Sequence, residues 1–465
     1  MSDPAFDRYR SPAVTAYHRT LAHLLERREP DHWRWFDHHA QSEDAGKALR
    51  LELLKRTYRL DRDTHGALYA QADRIAEAMA LDAPVTLYQA DSDMAAAVGA
   101  ARRGDGLGAR VMGAGALERN AALFFEPDRA HIVFSGDMVE ALDAAEMAFV
   151  LGHELAHHKL WRIDEHRHRV AERLLAWSCA QPAAAPAYLE SERLERLYTE
   201  VYADRYGLWA VGDVEAALRA LLKAGFGLAD VSGAAYLAQA EEALAAAGQT
   251  EAAQGAAEEA AGSAAATHPE SHLRAALLAA WAHDPAAADA RARALLEGAV
   301  TIERLDLLGQ ERVADLTHWM LYEFLADPWR GRDLIRAHAR ALSPELADAL
   351  DAPRAEREDI DRLRGAIQSS HPSVKNYLAY MLLDFVTVDP EIDDVMLAAA
   401  LVFVSDFGLT ADFKAVATRE LKTTKTKLAD IEKNAVTILT KAEIAHGGPR
   451  FEDVDGAALA AVGEA

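Results

Sequence analysis

A single cysteine, Cys179, leaves the chain with no internal disulfide. That excludes the small disulfide-stapled folds and fits a reducing compartment. Apolar runs are short as well. The most apolar late stretch, Val395 to Val404, is bounded by Asp393, Asp394 and Asp406. It falls well below the roughly 18 residues that span a bilayer, and it reads as a buried helix. Positive charge is scarce, with 50 Lys and Arg against 74 Asp and Glu, a formal net charge of −24. A surface so acidic repels phosphate backbones and anionic headgroups, so neither nucleic acid nor membrane insertion is expected. The segment from Met1 to Arg10 lacks the apolar core of a secretory leader, and a cytoplasmic location is expected. What the chain does have is 51% hydrophobic residues over 465 positions, enough for sizeable cores and too many for wholesale disorder.

Ala, Leu, Glu and Arg fill long segments of helical spacing, with Gly or Pro at the breaks, so the fold class is mainly α. Between Ala83 and Gly136 the pattern changes. Pro84 to Tyr88, Ala122 to Phe125 and His131 to Phe134 are short β-branched or aromatic runs, and a small sheet is expected there, making the class α+β in detail. Gly104 to Gly115 reads as an irregular connection within it. Ala234 to Ala266 has few large apolar anchors and reads as a loose helix or connection. The pattern divides into a helical region over 1–63, a central domain over 64–285, a helical extension over 286–353, a helical module over 354–446 and a frayed tail over 447–465. The flanking helices are the natural place for a regulatory protein partner.

The chemistry concentrates near residue 153. Asp143 and Glu146 stand at capping-box spacing and open a helix whose Met147, Val150, Leu151 and Leu155 form an apolar face. Within it His153 and His157 are four residues apart, so both imidazoles leave one side and can bind one ion. Glu154 is rotated by about 100° from His153, which suits a base acting on water rather than a third ligand.

A hydrolytic zinc site needs three protein ligands and one open position. Glu200 is the best candidate for the third. It lies in a helical segment from Leu197 to Gly207 and shares a face with Asp204. One of these carboxylates can ligate while the other accepts the free ring N–H of a ligand histidine. An exposed acidic stripe beside Arg205 would have the same spacing.

Phe149-Val-Leu-Gly-His-Glu-Leu-Ala-His-His158, with Glu200-Val-Tyr-Ala-Asp204 downstream, resembles the M48 metallopeptidases. So do Asn120-Ala121, the strand at His131 to Phe134, and His268-Pro269 followed by Arg274. The resemblance runs from about Thr64 to Leu278. It implies a zincin-like catalytic domain, with a small β-sheet beside the zinc helix and helical regions at both ends. One Zn2+ per chain would be held by His153, His157 and Glu200, with Glu154 activating water and Asp204 supporting a ligand histidine. His268 would sit opposite the zinc helix as a donor to the oxyanion or as a gate, with Arg274 nearby. An edge strand at Asn120 to Leu123, including Ala121, would bind the substrate backbone. The implied activity is that of a zinc-dependent endopeptidase, with a protein or peptide as substrate. The rival reading is a non-enzymatic helical interaction or chaperone-like protein with a structural or latent zinc site.

Other suggestive residues read as structural. His158 points about 100° away from His157, and His166 and His168 read as a solvated charged continuation of the zinc helix. His38 and His39 lack a carboxylate at ligand spacing. Cys179 reads as a small hydrophobe, and Tyr198, Tyr202, Tyr206 and Trp209 read as core.

Overall fold

A computed structural model of the chain describes residues 8–40, 43–90, 119–249, 271–327, 332–350 and 357–446, together with 6 and 330. The expected irregular connection at 104–115, His268 and the tail at 447–465 lie outside them. The chain divides into two compact units, 1–298 and 299–465.

The first unit opens with α1 (Ala16–Arg28), α2 (Pro30–Ala40) and α3 (Glu43–Arg56), followed by β1 (Thr57–Arg59), α4 (Gly66–Ala78), β2 (Val85–Ala90), β3 (Asn120–Glu126) and β4 (Arg129–Ser135). The short α5 (Met138–Ala141) leads into α6 (Ala144–Arg162), and α7 (Arg167–Cys179), α8 (Pro186–Val211), α9 (Val214–Phe226), α10 (Gly233–Gln249), α11 (Ser271–His283) and α12 (Pro285–Leu296) complete the unit. The strands form one sheet in the order β1-β2-β4-β3, antiparallel except for the parallel pair β2 and β4, with Leu87 opposite Ile132. β1 was not expected. Its three residues directly follow a helix, and only pairing with β2, Tyr58 opposite Gln89, makes them a strand.

Strand alternation assigns the two faces of the sheet. Leu87, Leu123, Ile132 and Phe134 face α4 and α6, where they join Ile75, Met147, Leu151 and Leu155 in the main core. Tyr88, Ala122, Phe124 and Val133 face the other way and close over Leu53 of α3. β3, at one end of the sheet order, therefore lies beside α6, as the edge expected to flank that helix.

α6 begins with the capping box read from the sequence. The Asp143 carboxylate accepts from the Ala145 and Glu146 amides at 2.9 and 2.8 Å, and Glu146 accepts from the Asp143 amide at 2.9 Å. Glu146 is fully buried. Burial alone would push its pKa up, but Lys223, the Asp143 amide and Arg219 outweigh burial and hold it below the usual carboxylate range. The helix does not continue into 166–168 as expected. It stops at Arg162, and Asp164, Glu165 and His166 take left-handed φ of 51°, 55° and 67°, folding α7 back. His168 is consequently not solvated. It is buried, with Asp164 Oδ2 3.2 Å from its Nε2 and its ring against that of His18.

α6 and α8 pack unusually close, and two glycines explain it. A Cβ on Gly152 would stand 2.7 Å from the Ala210 Cβ and 3.0 Å from the Tyr206 carbonyl, and one on Gly207 would stand 2.8 Å from the Phe149 carbonyl. Neither backbone can give way without separating the helices. The buried His18 of α1 supports α8 from the other side, with Thr15 Oγ1 2.8 Å from its Nδ1 and Thr199 Oγ1 3.0 Å from its Nε2.

The second unit is built of helices. Leu307–Leu325, Pro372–Val386, Asp393–Phe407 and Thr410–Glu420 bury Met320, Phe324, Leu382, Phe385, Met396, Leu401 and Phe413 together. The apolar stretch from Val395 to Val404 is thus core, and no described helix is long and apolar enough to cross a membrane.

Two stability measurements follow. Gly207→Ala is expected to destabilise the first unit by roughly 1–3 kcal/mol in urea unfolding, and an unchanged midpoint would show that the close approach is not constrained. Burial, aided by His168 and Arg19, lowers the His18 pKa to about 3, so the unfolded chain takes up this proton first as pH falls. Stability is therefore full above about pH 6.5 and is lost on acidification. Relative to His18→Gln, wild type should lose up to about 1.4 kcal/mol per pH unit below pH 6.5, and parallel pH profiles would refute the assignment.

Candidate metal centre

α6 supplies His153, Glu154 and His157, all buried, and the crossing at Gly152 and Gly207 brings α8 near enough for Glu200 to face both imidazoles. The two Nε2 atoms lie 3.2 Å apart. Glu200 Oε2 stands 3.6 Å from His153 Nε2, and its Oε1 stands 3.8 Å from His157 Nε2. Donor atoms of His153, His157 and Glu200 thus form a cluster that could hold a metal ion. The acidic pair of α8 is not a solvated stripe: Glu200 and Asp204 are buried, and so is Arg205, which donates to Asp289 of α12 at 2.7 Å.

Asp204 lies one turn beyond Glu200 and accepts from His153 Nδ1 at 2.9 Å. That bond assigns the ring proton to Nδ1 and turns the Nε2 lone pair toward Glu200. Arg274 of α11 grips the same carboxylate with two donors, Nε to Oδ2 at 2.8 Å and an Nη to Oδ1 at 2.5 Å. Its other Nη lies 3.4 Å from Glu200 Oε2. Burial would raise the Asp204 pKa, but Arg274 and then His153 outweigh it and keep the carboxyl below its ordinary range. The paired carboxylates in turn raise the pKa of Arg274 despite burial. Three buried acidic side chains, Glu154, Glu200 and Asp204, thus share one guanidinium, and a divalent cation is what would balance the surplus.

Residues 116–282 match the model of peptidase family M48. The chain carries an M48 peptidase domain. No curated protein and no solved structure matches the chain. The matched segment spans β3, β4 and the helices from α5 to α11, so it contains the elements that carry His153, Glu154, His157, Glu200, Asp204 and Arg274.

The remaining expected residues are placed as follows. Asn120 and Ala121 begin β3, with Asn120 opposite Ser135 and Ala121 buried against the core. His158 turns away from the cluster. Its Nε2 donates to the carbonyls of Glu126 and Arg129, tying the β3–β4 turn to α6, and burial lowers its pKa to about 4. Tyr198, Tyr202, Tyr206 and Trp209 are core, as read from their spacing. Sequence reasoning missed the roles of Gly152 and Gly207. Their signal was available, because glycine inside a helix costs about 1 kcal/mol against alanine and calls for a packing reason.

Asp204→Asn keeps the shape but weakens the acceptor that orients His153. It should raise the dissociation constant for zinc, measured by chelator competition, roughly 10- to 100-fold. An unchanged constant would show that Asp204 serves packing alone.

Proposed function

We propose that the chain is a zinc-dependent endopeptidase in which His153, His157 and Glu200 hold one Zn2+ and Glu154 handles the protons. The observation that carries this reading is the separation of the donor atoms. Tetrahedral zinc with bonds of about 2.0–2.1 Å holds its ligand atoms roughly 3.3 Å apart. The 3.2, 3.6 and 3.8 Å separations found here need only small adjustments, and with Nδ1 of His153 bonded to Asp204 it is Nε2 that faces the cluster.

When bound, zinc supplies Lewis acidity and brings the pKa of a water down to about 7. The protein does the rest. Glu154, buried between the two histidines in sequence, accepts a proton from that water as it attacks the scissile carbonyl and passes the proton to the leaving amine nitrogen. Asp204 and Arg274 keep His153 in the tautomer that ligates. His268, by its resemblance to the family histidine, donates to the oxyanion. The substrate lies extended along the β3 edge at Asn120 to Leu123, Ala121 included, where backbone pairing would take a peptide of any sequence and side-chain pockets select.

The test is zinc-loaded wild type against Glu154→Gln on an unfolded protein substrate. The variant is expected to keep its zinc and lose at least about 100-fold in cleavage rate, and chelation of wild type should abolish cleavage until zinc is restored. Equal activity in the two proteins, or activity indifferent to chelation, would overturn the proposal. Amide exchange at Asn120 to Leu123 should slow when a peptide-like inhibitor binds, and unchanged exchange would remove β3 from the groove.

A further inference from the structure

His153, His157 and Trp161 follow one another at four-residue intervals, so Trp161 extends the ligand face of α6 by one turn. Its indole lies 5.8 Å from the His157 ring. Phe125, near the end of β3, meets Trp161 edge to face at 5.6 Å. Arg169 of α7 lays its guanidinium over the Phe125 ring at 3.9 Å and stands 5.3 Å from that of Trp161. All three side chains remain partly accessible.

Among the described residues Arg169 makes no hydrogen bond and no ion pair, and its Nε is buried without a partner. On the same helix Arg167 pairs with Glu26, whereas Arg173 lies over the Phe36 ring at 5.6 Å. What distinguishes Arg169 is that it faces two rings at once, those of Phe125 and Trp161, on the side of the metal-centre helix. Burial lowers its pKa to about 10, which still leaves it charged at neutral pH, and Glu172, three positions on, acts on it electrostatically. The left-handed turn at Asp164 to His166 is what folds α7 back and sets Arg169 over β3. A guanidinium stacked on a ring keeps its N–H edge free to grip a carboxylate with two parallel bonds.

We propose that Arg169, with Phe125 and Trp161 as its walls, forms a subsite of the peptide groove that takes a carboxylate of the substrate. The inference rests on the peptidase reading for the direction of the groove. The 5.8 Å and 5.3 Å steps from His157 through Trp161 to the guanidinium limit the span between metal ligand and subsite. Roughly three residues of extended chain cover it. The carboxylate is either an Asp or Glu side chain at that distance from the scissile bond or the end of the peptide itself.

Decapeptides of Ala and Ser carrying one Glu at successive positions, each paired with its Gln counterpart and each made with a free or an amidated C-terminus, separate these sources. Binding is measured by calorimetry on the zinc-loaded Glu154→Gln protein, and cleavage on wild type. At one position Glu should bind on the order of 10- to 100-fold more tightly than Gln. A difference between free acid and amide instead would identify the chain end as the ligand. Either preference should vanish in Arg169→Gln. Arg169→Lys should keep only part of it, and the Glu–Gln comparison on an unsubstituted Arg169 stands even if a variant fails to fold. No preference in any series, no binding, or a preference that survives Arg169→Gln would overturn the subsite. A carboxylate preference in binding without cleavage would leave the subsite standing and sink the peptidase reading. Cleavage without preference would do the reverse.

Discussion

The close crossing of α6 and α8 is the contact on which the site depends. Gly152 and Gly207 remove the side chains that would otherwise hold the two helices apart, and the backbone of each approaches the other to within the reach of a methyl group. His153 directly follows Gly152, and Glu200 lies two turns before Gly207 on α8, so the interhelical distance at the glycines sets the distance between imidazole and carboxylate. A carboxylate on a helix cannot travel to meet a distant ligand, because its reach is two or three bonds from a fixed backbone. The packing constraint comes first, and the donor geometry follows from it.

Electrostatics then decides how the cluster is populated. Asp204 accepts from His153 Nδ1 and from two donors of Arg274, which also lies 3.4 Å from Glu200. Removing one member of such a buried set strands the charge of another, which costs more than the pair contributes intact. The arrangement is therefore held as a unit, and it turns the His153 lone pair toward the place where a cation would balance the remaining acidity. The guanidinium serves two carboxylates on one helix face, which is why Glu200 and Asp204 can both be buried without both needing the metal.

Local signals in the sequence carried much of this. Capping box, helix face, paired histidines and three of the strands all depend on neighbours within a few residues, and each was readable. Glu200 was readable as a candidate, because its face is shared with Asp204, but burial was needed to separate a carboxylate facing the histidines from a solvated stripe. What escaped depends on partners far along the chain. β1 is a strand only because β2 lies beside it, and His168 is buried only because the chain reverses at Asp164 and α1 packs over it. Arg169 likewise looked like one more charge in a charged run. Its place over an aromatic ring emerges only when Phe125, forty-four positions earlier, is brought beneath it.

α6 shows why the site tolerates so little freedom. Most of its length is buried around the whole circumference, so it cannot send its polar side chains to water as a surface helix does. Glu146 is satisfied by Asp143, Arg219 and Lys223, His158 by the carbonyls of the β3–β4 turn, and His153 by Asp204. Each bond goes to a different element: the turn before the helix, α9, the hairpin, α8. A rotation of α6 that improved one of them would break the others, so the helix has a single orientation before any ion arrives. Ordering that is complete in advance does not have to be drawn from the free energy of binding, and an ion meeting this cluster would find its ligands already converged.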